Sequence, residues 1–328
     1  MGDDDDGEPM TFQSQPPPPA MKRSSRAGGV FHKASIGERL EDAPDSRRAR
    51  ALAAAVASCV IALAVLFSSS ALAADARAEK RHPTPRIRAS SAVVLDSADG
   101  KLLYAKNEKE LRPIASITKL MTALVFIETG ESLRTVVTIE PADREDASRT
   151  IFRAGEEVIA HDLLFASLLN SDNVAARGLV KASGLTSQEF VAQMNRKARL
   201  LGLPDTHFED PTGLDPRNVS TALDCAALVG SAARDPFLRT ILMTREYSFR
   251  TERRLHTIHS TNRLLLATDK IIVGKTGFIN EAGYCFASCF DSAGRDLAVV
   301  VLGARSPSAR FREANDLIKW VLSDADSR

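Results

Sequence analysis

Residues 112–130 read RPIASITKLMTALVFIETG. Between Ile114 and Ile127 almost every position is apolar or small, the pattern of a helix buried on all sides, and Gly130 suits a left-handed C-cap that stops it. Ser116 and Lys119 stand at or near the start of that helix, three residues apart. Side chains so spaced are neighbours, with β-carbons about 5–6 Å apart. Upstream, Ala92-Val93-Val94-Leu95 and Leu102-Leu103-Tyr104-Ala105 flank a turn from Asp96 to Gly100 and read as an antiparallel hairpin. Downstream, from Asp162 to about Pro236, the pattern is helical: Leu163-Leu164 with Leu168-Leu169, then 174–180, 190–201 and 222–233. The chain then turns extended again. Ile271 to Gly277 reads as a strand, 284–290 and 297–302 as a second hairpin around Asp291 to Arg295, and a last helix runs from about Ser308 to Leu322 with Trp320. Strands at both ends with helices between them predict an α+β fold, one antiparallel sheet assembled from both chain ends and packed against a helical block. There is no internal repeat.

The 328 residues, 44% hydrophobic, can build one large or two small domains. A net charge of +1 with no basic stripe gives no nucleic-acid footprint. The four cysteines (Cys59, Cys225, Cys285, Cys289) are too few and irregular for a disulfide framework. Cys285 and Cys289 share a strand face but lie roughly 13 Å apart at strand rise, beyond disulfide reach. The last three read as small buried hydrophobes. Residues 1–50, with Asp3 to Asp6 and Pro16 to Pro19, lack the apolar surface to fold and read as a disordered tail, with Met1 or Met21 as the start. Residues 51–74 are almost wholly apolar after Arg47, Arg48 and Arg50, the form of an export signal cut after Ala73 or kept as an anchor. That places the rest outside the cytoplasm, with membrane contact only through this segment. Residues 75–90 read as a linker and 91–323 as the globular domain.

Three short motifs carry chemistry: Ser116-x-x-Lys119, Ser171-Asp172-Asn173 and Lys275-Thr276-Gly277. Each is weak alone, since Ser-x-x-Lys arises by chance about once in a chain this long. Together, in this order, on a helix start, an inter-helix loop and a strand, they form a signature of serine acyl transfer. A serine hydroxyl needs a base, and Lys119 is placed to be one if burial and a second cation, Lys275, hold it partly neutral. Ser171 and Asn173 supply a hydroxyl and an amide to relay a proton and hold a substrate backbone. The Lys275 strand offers an edge for an extended substrate. Lys275 and Thr276 hold a carboxylate or carbonyl there, and Gly277 permits close backbone approach.

The likeness extends to 112–123, Pro211-Thr212-Gly213-Leu214, Asn218-Val219-Ser220-Thr221-Ala222, Thr261-Asn262-Arg263-Leu264-Leu265 and Lys275-Thr276-Gly277-Phe278. In these the chain resembles the low-molecular-weight penicillin-binding proteins, the serine D-Ala-D-Ala peptidases with a beta-lactamase/transpeptidase-like fold, over about 90–322. Asn280-Glu281-Ala282-Gly283-Tyr284-Cys285 looks most like the D-alanyl-D-alanine endopeptidase branch. The resemblance implies a Ser116 acyl-enzyme, an oxyanion hole of the Ser116 and Phe278 backbone N–H groups, peptidoglycan stem peptides as substrate, beta-lactams as inhibitors, and no metal or organic cofactor. It also implies cross-link endopeptidase activity ahead of carboxypeptidase, because carboxypeptidases of the family carry an added C-terminal β domain and anchoring helix and only 323–328 follow the last helix here. A beta-lactamase or esterase, or a non-catalytic wall-binding protein, are the alternatives. No glutamate fills the deacylation place of class A beta-lactamases, so rapid beta-lactam hydrolysis is not expected.

Other polar residues have plainer readings. His256 and His259 read as solvated or hydrogen-bonded rather than as a metal pair. Arg144, Glu145, Asp146, Arg149 and Arg153 read as solvated surface, Asn262 as either a site-shaping or a turn residue, and Asp210 as a loop former.

Overall fold

The computed structural model describes residues 83–148, 150–267, 271–292 and 294–325. The expected tail, the export segment, Cys59 and Arg149 lie outside the described residues. In chain order the elements are β1 (Ser91–Asp96), β2 (Leu102–Lys106), β3 (Arg112–Pro113), a 3₁₀ turn (Ala115–Ile117), α1 (Thr118–Glu128), β4 (Val136–Thr138), a second 3₁₀ turn (Pro141–Arg144), β5 (Glu157–Ile159) and α2 (Ala160–Leu169). There follow α3 (Asn173–Ala182), α4 (Ser187–Leu200), β6 (Val219–Ser220), α5 (Ala222–Arg234), α6 (Pro236–Met243), β7 (Glu246–Arg250), β8 (Leu255–His259), α7 (Leu264–Ala267), β9 (Ile271–Ile279), β10 (Gly283–Ser292), β11 (Arg295–Ala304) and α8 (Pro307–Ala325).

The main sheet has five antiparallel strands in the order β2-β1-β11-β10-β9. Its first strand is zipped to its last, Val93 opposite Val300, so both chain ends build one sheet as the sequence pattern predicts. Both faces are covered. Val93, Cys285, Ala287, Cys289, Ala298, Val300 and Leu302 face the helical block, while Ala92, Val94, Phe286, Phe290, Val299 and Val301 pack under Phe311, Leu317 and Ile318 of α8. Two-sided burial explains why these strands read as unbroken apolar runs instead of alternating polar and apolar residues. It also puts Cys285 and Cys289 on one face, both buried and free, as is Cys225.

Helix α1 sits at the centre. Nine of its eleven residues, Thr118 to Phe126, are buried, so it meets protein on every side. Removing a ring such as Phe126 from this packing would cost about 3–5 kcal/mol.

Two boundaries differ from the sequence reading. Residues 87–90, assigned to the linker, belong to the fold: Ile87 and Ala89 are buried in the α8 core, and the Arg88 and Ala89 N–H groups donate to Glu313 at 2.9 and 2.8 Å. Their proline- and arginine-rich context hides a partner supplied from the far end of the chain. The hairpins β4–β5 and β7–β8 and helix α6 were also not foreseen. These pieces are short, and β8 alternates exposed and buried residues too briefly to stand out.

Candidate active site

Ser116 lies in the 3₁₀ turn that feeds α1. Its backbone is held between two glycines on separate segments. A Cβ on Gly213 would stand 2.0 Å from the Ala115 carbonyl oxygen and 2.9 Å from the Ser116 nitrogen. One on Gly277 would meet the Ile114 oxygen at 2.9 Å and the Ser116 nitrogen at 3.1 Å. Only hydrogen at both places lets the 211–214 loop and the edge strand β9 close on the serine. Ala115 is itself left-handed, φ +48°, and so are Ser171 (φ +61°) and Ser148 (φ +55°). Such residues cost of order 1–3 kcal/mol each, and these three all lie in the site.

Lys119, in the first turn of α1, is fully buried. Its Nζ lies 2.9 Å from Ser116 Oγ, 2.6 Å from Asn173 Oδ1 and 2.6 Å from the Thr212 carbonyl oxygen. Burial lowers its pKa to about 7; Asp210 and Asp172 pull the other way, and Arg177 adds to the lowering. The sequence reading had named Lys275 as the helping cation. The cation found lowering Lys119 is Arg177, and it is Lys119 that depresses Lys275.

Asn173 opens α3 instead of lying in a free loop. Its Nδ2 donates to the Ala147 carbonyl (2.8 Å) and Ser148 Oγ (3.1 Å). With both donors so directed, Oδ1 must face Lys119. Asp172, given no separate role from sequence, builds this corner. It caps α3 through Ala175 N–H (3.1 Å) and accepts from Ile151 N–H (2.8 Å) and Thr150 Oγ1 (3.0 Å). Burial raises its carboxyl above the usual range, and those three bonds oppose the rise. Arg177 ties down the same wall by donating to the Asp143 and Glu145 carbonyls.

Behind that wall lies a buried polar cluster. Glu156 accepts from Arg254 Nε and meets His256 Nε2, each at 3.1 Å, while Arg254 Nη2 donates to the Ile151 carbonyl. His256 is therefore hydrogen-bonded, and His259 is exposed beside Glu246. Arg144, Glu145, Asp146 and Arg153 are exposed. Asp210 is a loop former: its two oxygens accept from the backbone of Thr212, Gly213 and Asp215. Asn262 packs over Gly274 in β9.

Lys275, also fully buried, donates to Ser171 Oγ (2.8 Å) and to the Thr276 carbonyl (2.9 Å). Burial, then Lys119 and Arg310, hold its pKa well below the ordinary lysine value. Thr276 Oγ1 donates to Thr261 Oγ1 at 2.8 Å. Phe278 carries an exposed ring at the end of this run. Arg310 of α8, not singled out by sequence, donates to the Gly277 carbonyl at 3.0 Å. Nothing in the arginine-rich start of α8 marks it. The structure thus brings Ser116, Lys119, Ser171, Asn173, Lys275, Thr276 and Gly277 into one cluster linked by hydrogen bonds and close backbone approach, with Phe278 at its rim.

Comparison with known proteins identifies relatives of the whole chain. The D-alanyl-D-alanine endopeptidase of Escherichia coli K12 is 32% identical over 80% of this chain and 86% of its own length. That of Pseudomonas aeruginosa is 33% identical over 80% and 88%, and Bacillus subtilis DacF, a D-alanyl-D-alanine carboxypeptidase, 30% over 73% and 63%. The Streptomyces K15 DD-transpeptidase superposes with a TM-score of 0.69 at 29% identity, over 73% of this chain and 98% of its own. The Peptidase S11 family, described as D-alanyl-D-alanine carboxypeptidase, matches residues 77–306, and the chain belongs to it.

Proposed function

We propose that this chain is a serine peptidase that cleaves D-alanyl peptide bonds of peptidoglycan stem peptides through a Ser116 acyl-enzyme, preferring the cross-links between stems. The observation that carries the reading is a fully buried Lys119 amine 2.9 Å from Ser116 Oγ with a pKa near neutrality. Neutral Lys119 has two N–H groups, which Asn173 Oδ1 and the Thr212 carbonyl engage. Its lone pair is then left for the Ser116 hydroxyl.

Ser116 Oγ attacks the scissile carbonyl and its proton passes to Lys119. The oxyanion accepts from the Ser116 and Phe278 N–H groups, one on the 3₁₀ turn and one on β9, which runs close to the Ser116 nitrogen at the preceding residue, Gly277. Collapse breaks the C–N bond, and the proton reaches the leaving amine through Ser171, whose oxygen already accepts from Lys275. Water then repeats the cycle to release the acyl group. A carboxylate on the leaving residue finds Lys275, whose ammonium it stabilises in a site where burial otherwise disfavours charge. A beta-lactam presents the same carbonyl and carboxylate and stalls at the acyl-enzyme. The apolar segment 51–74 supports export, which puts the domain where stem peptides are.

Similarity to relatives named endopeptidases supports the cross-link preference. Incubation of purified protein with cross-linked muropeptide dimers and with monomeric pentapeptides tests it. Dimers should fall to monomers, and Ser116→Ala should not cut them. Free D-alanine from pentapeptide with dimers left intact would replace the endopeptidase reading by carboxypeptidase.

A further inference from the structure

The bond-breaking chemistry makes no use of Glu156, a carboxylate with no exposed side-chain surface. It stands just before β5 and gathers donors from two segments. Oε2 accepts from the Arg153 N–H at 2.6 Å. Oε1 accepts from Arg254 Nε (3.1 Å) and Thr251 Oγ1 (3.4 Å) and meets His256 Nε2 at 3.1 Å. Thr251 and Arg254 close the β7–β8 turn, the Thr251 N–H donating to the Arg254 carbonyl at 3.0 Å, and His256 follows on β8. Burial pushes the Glu156 carboxyl up, but the Arg153 N–H, His256 and Arg254 hold it below the ordinary glutamate range, so it is ionised. A buried ion pair adds little net stability, because desolvation of the two charges offsets their attraction. Its use here is to fix a position.

What it fixes is the backbone that faces α3. Arg254 Nη2 donates to the Ile151 carbonyl, while the Ile151 N–H and Thr150 Oγ1 donate to Asp172 at 2.8 and 3.0 Å. The buried Phe152 ring packs on the same hairpin, its centroid 6.1 Å from that of Phe249 and 5.5 Å from that of His256. Residues 150–153 are thus gripped by the hairpin on one side and by the α3 cap on the other. Just upstream, the Ala147 carbonyl and Ser148 Oγ accept from Asn173 Nδ2, which turns Asn173 Oδ1 to Lys119. None of the described residues from 145 to 156 belongs to a helix or strand, so side-chain bonds must give this stretch its shape. We propose that Glu156 and Arg254 are positioning residues for acylation: their ion pair ties the β7–β8 hairpin to this stretch and so holds the Asn173 amide on Lys119. The inference rests on the acyl-transfer reading above, in which Lys119 needs Asn173 Oδ1 on one N–H to aim its lone pair at Ser116.

The test measures the saturation kinetics of acylation by benzylpenicillin, together with the fraction of the protein that can be acylated. Glu156→Leu keeps the bulk and removes both acceptors. Its limiting acylation rate should fall at least about tenfold, as small displacements of catalytic groups do. The half-saturating concentration should stay within about threefold, because Lys275 and Thr276 stand on β9 and not on this wall. Glu156→Gln, which keeps one acceptor oxygen, should recover most of the rate. On an Asn173→Ala background Glu156→Leu should cost less than about threefold more, since residues that act as one unit are not additive. Where Glu156→Leu fails to fold, Arg254→Met is read by the same rate and on the same Asn173→Ala background. A limiting rate within about twofold of wild type, a loss confined to the acylatable fraction, or a full further loss on Asn173→Ala overturns the proposal. Wild-type protein that benzylpenicillin does not acylate at Ser116 refutes the acyl-transfer reading itself, and the positioning role with it.

Discussion

Acylation should rise with pH along the deprotonation of Lys119. With a pKa of about 7, about half of the lysine is neutral at pH 7, about a tenth at pH 6 and about a hundredth at pH 5; at the ordinary lysine value the neutral share at pH 7 would be about one in three thousand. The second-order constant for benzylpenicillin should therefore climb about 50-fold from pH 5 to pH 7 and level off above about pH 8. Lys275, lowered by burial and by Lys119, loses its proton as pH rises, so the profile bends down on the alkaline side. Arginine stays charged throughout this range, so Lys119→Arg should lose at least about two orders of magnitude. Stopped-flow quenching or a fluorescent penicillin gives the constant. A flat profile from pH 5 to 8, or Lys119→Arg acylating within tenfold of wild type, would remove Lys119 as the base.

The same lysine makes a stability prediction. Its folded pKa is the lower one, so between about pH 7 and 10.5 the unfolded chain binds a proton that the folded chain does not, and folding gains about 1.4 kcal/mol per pH unit as pH rises. Urea melts from pH 7.5 to 9.5 should show wild type gaining about 2–3 kcal/mol relative to Lys119→Met; parallel curves would contradict this. Gly277→Ala places a methyl 2.9 Å from the Ile114 oxygen and 3.1 Å from the Ser116 nitrogen. Acylation should drop about a hundredfold with only about 1–3 kcal/mol of lost stability, and an unchanged acylation constant would show that the clamp does not matter. Asp172→Ala strips acceptors from Ala175, Ile151 and Thr150 and should cost about 2–4 kcal/mol in urea melts, a neutral result refuting its role as the corner post.

That Ser116, Lys119 and the Lys275 run come together was readable because acyl transfer, the chemistry proposed for them, calls for those side-chain types at short spacings that local structure preserves. Their helix and strand settings were readable because burial writes long apolar runs. What escaped was chiefly backbone and distance. The Thr212 carbonyl that orients Lys119 has no sequence mark, and Gly213 beside Ala115 looks like any loop glycine. Arg310 reaches Gly277 from the last helix, and Arg254 reaches Ile151 from a hairpin too polar to notice. Asp172 lay within a quoted motif, yet its partners Thr150 and Ile151 come from a loop that no periodicity identifies. The linker's end was misplaced for a like reason, since Glu313 is the acceptor that draws Arg88 and Ala89 into the fold.

The zipping of β1 against β11 governs the order of events during synthesis. A ribosome delivers Ser116 and Lys119 early, but Lys275 and the strand that carries Gly277 come late, and β1 finds its neighbour only when Val300 emerges. Such non-local pairing must pay its loop-closure entropy before any contact rewards it, which makes folding slow compared with a chain of local contacts. Until then Ser116 lacks half its surroundings, so a nascent or truncated chain ending before β9 carries the proposed nucleophile without the groups that would let it act.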